Sequence, residues 1–451
     1  PVAEFIPGAH YSTGSREKLR DYAPRIPAST RGPQMGGTGL SGLALAEDEG
    51  TPFAAGHEAD FVFYIANPIT NRIQIVTSSL DENGQHNYTK EQDFMISTDK
   101  WFRPIAVHFG PDGCLYVVDW YNPIIDHGEV DFHHPLRDKS HGRIWRVTAT
   151  DRDLVERPAI VVATHRELFD HLKAPEQYTR TQANRELGRR GVSVAAIDTA
   201  VDNLDASDPE YDHHRLEALW LYTALNHEPA GPVWQLLTAA DPRIRAAAVR
   251  VAGRGPAGME HLALAVEDEH PRVRLEAVCA LRELASLGAA NLALRALDYE
   301  VDLNLDFALE MTVRDTRDQW RPAMQAGKKV FDGNAAHLSY ALKKVNDPRA
   351  IEALSEVVKR RELEGDDLAN AVATVAALGD ANRIGEMLDL ARGSPGLLIA
   401  LALGAEFSST VPPQSERAAS YLAVENEAVR IAAAELIGFW NVASAKNQLM
   451  Q

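Results

Sequence analysis

Only two cysteines, Cys114 and Cys279, occur in 451 residues. One falls in a predicted strand and the other in a predicted helix of a different domain. They are not expected to pair, and cysteine usage leaves the redox compartment open. No Cys-x-x-Cys-His occurs, so the chain offers no covalent attachment site for a c-type haem. No apolar run reaches about 18 residues, which argues against a transmembrane helix. Positive charge is also short. Residues 1–150 carry 13 Lys and Arg against 19 Asp and Glu, the remainder carries 33 against 45, and the net charge is -18. Phosphate-backbone binding needs a basic surface, so nucleic acid is not an expected partner. The sequence opens at Pro1 without a Met or a readable secretion leader, which is uninformative about targeting.

Residues 1–38 are rich in Gly, Pro, Ser and Thr and read as irregular. Short strands begin near Gly39. Phe61–Ala66 and Arg72–Thr77 are β-branched and aromatic, with the turn signal Asn67-Pro68 between them. His86–Met95 is a weaker strand candidate. Ile105–Phe109 and Cys114–Asp119 flank Pro111-Asp112-Gly113, a tight turn in which Gly113 supplies positive φ. Gly142–Thr148 is the next strand, and Ile160–Ala163 reads as a further one.

Two segments of this region resemble each other at an offset of about 53 residues. FVFYIANPITNRIQIV begins at Phe61, and CLYVVDWYNP with the later GRIWRV begins at Cys114. Each has a strand, an Asn-Pro turn (Asn67-Pro68, Asn122-Pro123) and a strand opening on Arg-Ile (Arg72-Ile73, Arg143-Ile144). Units of this length are the signature of β-propeller blades. The second unit carries an insertion, Tyr121–His141, on what would be a blade rim. A propeller closes with at least about four blades, so the two legible ones predict a partial propeller.

From about Glu167 the apolar spacing turns helical. A polar or basic residue followed by Leu/Ala and Ala-Leu or Ala-Val recurs at Arg215, Arg245, Arg274, Asn304, His337 and Asn370, with weaker copies at Arg180 and Arg430. Asp241-Pro242 and His270-Pro271 precede two of these residues, where Pro opens a helix and Asp caps it. The pattern predicts a helical-hairpin solenoid. It resembles HEAT repeats, most clearly at DPRIRAAAVRVAG and HPRVRLEAVCALREL. The expected fold is therefore multidomain β plus α: a partial β-propeller over residues 1–165, then a HEAT-like α-solenoid over 166–451. Solenoids offer binding surfaces more often than chemistry, so a protein partner is expected there.

Two sets of residues are candidates for chemistry. His127, His133, His134 and His141, with Asp126, Glu129, Asp131 and Asp138, lie close in sequence and have metal-ligand chemistry. Their spacing also suits a solvated polar loop. Trp101 and Arg103 could stack on and hydrogen-bond a planar anion; packing of the Trp is the plainer alternative. Asp119 ends a strand, a position that often faces a propeller channel. Arg143 opens the strand that follows.

The joined pattern WFRPIAVHFGPDGCLYVVDWYNPII (Trp101–Ile125) and HGRIWRV (His141–Val147) resembles the C-terminal blades of a family of large exported proteins. These belong to planctomycetes and verrucomicrobia and are often called membrane-bound dehydrogenases. ANPITNRIQ (Ala66–Gln74) fits the same pattern. Their propeller is similar to that of soluble quinoprotein glucose/sorbosone dehydrogenases, and HEAT-like repeats typically follow it. The resemblance implies an oxidoreductase of sugars or aldehydes in the periplasm or cell envelope. It also implies pyrroloquinoline quinone (PQQ) and Ca²⁺ as cofactors of the full-length protein, and a c-type cytochrome as partner. The blades that would carry the catalytic base are not read in this chain. No catalytic residue carries over, and the chain is expected to be inactive alone. Trp101, Arg103, Asp119 and Arg143 are cofactor-site candidates by position. The alternative expectation is a non-catalytic propeller-plus-HEAT interaction scaffold.

Overall fold

The computed structural model describes residues 33, 35–36, 39–46, 52–125, 129–150, 152–227, 229, 231–253, 258–326, 328–345 and 351–445. Among them eight strands come first and seventeen α-helices follow. The change from strand to helix falls between Val147 and His165. Compactness divides the chain differently, into residues 1–256 with 269–273 and residues 257–268 with 274–451. No helix among the described residues is long and apolar enough to cross a membrane.

The strands form two open antiparallel sheets. The first has the order β1 (Ser41–Ala46), β2 (Phe61–Asn67), β3 (Arg72–Leu80), β4 (His86–Lys90), with β5 (Met95–Ile96) also paired to β3. The second has the order β6 (Pro104–Phe109), β7 (Leu115–Asp119), β8 (Arg143–Val147). Side chains alternate across each strand, so every second residue enters the layer between the sheets. Val62, Tyr64, Ala66, Ile73 and Ile75 from one sheet meet Val107, Leu115 and Val117 from the other in a common core. Full burial of a Val, Leu or Ile stabilises by about 1.5–3 kcal/mol. The opposite face of β2 and β3 is covered by Met35 and Leu40 against Ile65 and Val76. Asn67 holds that covering segment by donating from Nδ2 to the Met35 and Gly36 carbonyls at 3.1 and 3.0 Å.

The expected turn at Pro111–Gly113 is present. Gly113 has φ +72°, and its N–H reaches the Gly110 carbonyl at 3.1 Å. Ile160–Ala163 differs from the strand expected there. The guanidinium of Arg190 gathers the carbonyls of Ile160, Val161 and Ala163, so the segment is a turn and forms no ladder. Val161 and Val162 are both exposed.

The two Arg-Ile openings also differ. Ala66 pairs with Ile73, and Asp119 pairs with Arg143. At the 53-residue offset Ala66 matches Asp119, so Arg143 stands where Ile73 stands and not where Arg72 does. A one-residue slip moves a side chain to the other face. The second sheet thus carries an ion pair at the end of its core layer where the first carries two apolar residues.

The helical region follows the repeated motif. Asp241 caps the helix Pro242–Ala252 by accepting from the Arg243 N–H at 2.8 Å, and Pro242 sits at its first turn. His270 Nδ1 likewise accepts from the Arg272 N–H at 3.1 Å. Four of the five motif arginines share one arrangement, while Arg215 instead donates to the side chains of Asp212 and Gln235. Arg180 donates to the carbonyls of Ala174 and Pro175, Arg245 to those of Ala239 and Ala240, and Arg430 to those of Val424 and Glu425. Arg274 reaches the Asp268 carbonyl at 2.8 Å. Each of these four guanidinium groups therefore pins the chain five or six residues upstream, just before its own helix begins. Exposed carbonyls at a chain reversal are satisfied and the charge is spread over several acceptors.

Motif helices also pack on one another in chain order. In the first unit Gln177–Arg189 meets Tyr211–Ala224, which meets Pro242–Ala252. In the second unit Leu303–Asp315, Ala335–Val345 and Gly365–Leu378 succeed one another in the same way. Pro395–Ala405 then meets both Gly365–Leu378 and Glu427–Phe439.

Candidate functional site

The end of β7 positions the candidate residues. Asp119 is 1% exposed, and both of its oxygens are occupied. Oδ1 accepts from the N–H groups of Arg103 and Tyr121 at 2.8 and 2.9 Å. Oδ2 accepts from Arg143 Nε at 2.7 Å and from Trp145 Nε1 at 3.0 Å. The other two guanidinium nitrogens of Arg143 meet Asp99 Oδ2, each at 3.0 Å. The Trp101 N–H has the largest effect on the Asp99 carboxyl; burial opposes it, but with the added pull of Arg143 the group lies below its ordinary range. Burial works to lower the Arg143 pKa, but its hydrogen bonds to Asp99 and Asp119 raise it overall.

Aromatic rings continue this cluster. Trp101 and Tyr121 stack with centroids 5.0 Å apart. The Arg143 guanidinium lies 4.3 Å from the Tyr121 centroid and 5.1 Å from that of Trp145. Tyr121 holds φ +56°, a conformation that bulky side chains rarely adopt. The cluster around it compensates that cost.

Arg103 has a different task. It is 7% exposed and points into the seam between the sheets. Nε donates to the Asn122 carbonyl at 2.8 Å, and Nη2 to the Pro123 carbonyl at 2.9 Å. Nη1 reaches the Pro68 carbonyl at 3.0 Å and Asn71 Oδ1 at 2.6 Å. One guanidinium thus ties together the two Asn-Pro turns that sequence comparison had paired.

The four cofactor-site candidates are therefore neighbours, but Trp101 stacks on Tyr121 and the polar atoms of Arg103, Asp119 and Arg143 face other side chains or the backbone. A quinone bearing three carboxylates needs uncommitted cationic donors. Arg103 is committed to four acceptors and Arg143 to two carboxylates, so as arranged these residues do not fit such a group. A Ca²⁺ ion needs six to eight oxygen ligands, and Asp119 has given both of its oxygens to four donors.

His127 and Asp126 lie outside the described residues. The other histidines of the loop have local roles. His134 Nδ1 accepts from the Leu136 N–H at 3.2 Å, and His141 Nδ1 pairs with Asp138 Oδ2 at 2.8 Å. His133 is exposed. No group of three or more His, Cys, Asp and Glu side chains among the described residues is arranged to hold a metal ion.

Sequence reasoning missed Asp99, Tyr121, Trp145 and Asn71. The first lies two residues before Trp101, just upstream of the motif. The others are partners only through the fold. It also missed a second cluster at the far end of the sheet. Burial would raise the Asp112 carboxyl, but hydrogen bonds from Tyr116, Arg146 and the Cys114 N–H outweigh it and hold the group at about 2. Its folded pKa is below the ordinary value of 3.8. The stabilisation is therefore present above pH ~4 and is lost as pH falls toward 2, a change of about 2 kcal/mol. Urea unfolding at pH 5 and pH 2.5 should show a shallower fall in stability for Asp112→Asn than for the parent chain. Equal falls would mean that Asp112 does not carry the effect.

Residues 19–151 match the model of a family described as a domain of unknown function (DUF7133), a span that contains all eight strands. No curated protein matches the chain.

Proposed function

We propose that this chain is a non-catalytic interaction scaffold. Its two sheets act as partial propeller blades, and its helices act as a HEAT-like solenoid that docks a protein partner. One observation carries this reading: Arg103, Asp119 and Arg143 spend their polar atoms on the protein, leaving the candidate site stapled shut. The pattern of motif helices packed in chain order, with Arg180, Arg245, Arg274 and Arg430 pinned to the preceding turn, supports the solenoid half. Stacked repeats of this kind present extended surfaces suited to partner binding.

The joined Trp101–Ile125 and His141–Val147 motif favours a second reading. In it the chain is the C-terminal part of an exported dehydrogenase-like protein of the periplasm or cell envelope. The quinone and Ca²⁺ would then be held by residues outside the Arg103–Asp119–Arg143 cluster, and a c-type cytochrome is the partner of the solenoid. One experiment tests the scaffold reading. The purified chain is titrated with PQQ in the presence of Ca²⁺ and assayed with aldoses and a dye acceptor. The scaffold reading expects no saturable quinone binding and no dye reduction. Quinone-dependent turnover would overturn it.

A further inference from the structure

Beside the stapled cluster lies an open groove of about 780 Å³. Its wall is apolar: Ile69, Ile105, Trp120 and Phe132, all at least 38% exposed, with Ile125 between them. Single exposed apolar residues need no explanation, but a contiguous set of this kind marks an interaction surface. The floor is rigid, because Pro68 and Asn122 line the groove and both are pinned by Arg103. A preformed floor lowers the ordering cost of binding.

Charge at the rim selects among occupants. Arg137, Asp138 and Lys139 supply the charged residues of the lining. The Asp138 carboxylate is turned back into its own loop, taken by the N–H groups of Ser140 and His141 and by the His141 ring. Arg137 lies over the Phe132 ring at 5.4 Å and gives Nε and Nη2 to the carbonyls of Asp131 and Val130 at 3.1 and 3.0 Å, whereas Lys139 is exposed with no carboxylate partner among the described residues. An apolar slot thus has a cationic lip. We propose that this groove binds an acidic peptide segment of a partner protein, with bulky apolar side chains in the slot and a flanking carboxylate at Lys139. The inference rests on the scaffold reading and gives the partner its chemistry. Anchors seated in such a slot carry most of the affinity of an interface.

The test uses the whole chain and a fluorescein-labelled octapeptide, with a Trp-Leu centre flanked by acidic residues. A second peptide has Lys in place of the acids. Fluorescence anisotropy should show saturable binding of the acidic peptide with Kd on the order of 10⁻⁵ M, and at least about tenfold weaker binding of the basic one. Phe132→Ala and Lys139→Glu, both at exposed positions, should each weaken binding about tenfold with unchanged circular dichroism. Absence of saturable binding, equal binding of the two peptides, or binding undiminished in both variants would overturn the proposal. Phosphatidylglycerol vesicles that sediment the chain in a Phe132-dependent way, without peptide binding, would assign the groove to lipid and also overturn it. Failure here leaves the quinone titration unchanged, so the scaffold reading stands or falls on its own test.

Discussion

Arg103→Ala is expected to destabilise the two-sheet region by about 3–5 kcal/mol, and Arg103→Lys to recover little of it. The reason lies in what the guanidinium leaves behind. Carbonyls of Pro68, Asn122 and Pro123 and the amide oxygen of Asn71 converge on it in a seam where Arg103 itself is 7% exposed. Hydrogen bonds from a charged donor contribute about 1.5–3 kcal/mol each, and a buried acceptor left bare costs about 1–3 kcal/mol. Lysine carries the charge but not the planar fork, so it cannot serve two turns at once. Hydrogen exchange at Ile73 and Val117, whose side chains are fully buried in the common core, reads the loss locally and without interference from the helices. A fall in protection equivalent to less than about 1 kcal/mol would show that the seam does not depend on this residue.

Gly42→Ala is the second large effect. Gly42 sits at the irregularity in the pairing of β1 with β2, at φ +66°. An added Cβ would stand 2.5 Å from Ala106 Cα and 2.9 Å from the Val107 nitrogen, both backbone atoms of the facing sheet. The left-handed conformation costs an L-residue about 1–2 kcal/mol. Overpacking against a backbone that cannot rotate away adds about 1–3 kcal/mol. Gly36→Ala separates the two contributions, because Gly36 has φ +70° but nothing within 4 Å of the added atom. Thermal unfolding followed by circular dichroism should show a clearly larger drop in midpoint for Gly42→Ala. Equal drops would mean that the close approach of the sheets contributes nothing.

How much of this was legible depended on the range of the interaction concerned. Strands such as Phe61–Asn67 and Leu115–Asp119 announced themselves through alternation and flanking turn residues, which are local. The helices and their caps at Asp241 and His270 were readable for the same reason. Ile160–Ala163 misled because β-branched residues favour strands, whereas its carbonyls are claimed by Arg190, some thirty residues downstream. The Arg-Ile match placed the start of both strands, Arg72 and Arg143, but carried no information on register. Sequence similarity preserved the dipeptide while the register moved by one, turning Arg143 toward Asp119. In the candidate site, Trp101, Arg103, Asp119 and Arg143 were named as cofactor-site candidates from position alone; the fold makes them neighbours. Their partners were invisible because Asn71 and Tyr121 become neighbours only when two turns meet.

The arginine clamps also differ in when they can form. Those of the helices close segments of five or six residues, as Arg245 does with Ala239 and Ala240. Arg103 spans 19 residues to Asn122 in one direction and 35 to Pro68 in the other. Loop-closure entropy grows with the length enclosed, and structures built on local contacts fold faster than those built on distant ones. Helical turns can therefore lock as soon as their own residues are available. The seam of the sheets must wait until both Asn-Pro turns exist and have met, so loop closure places it after the local clamps of the helices.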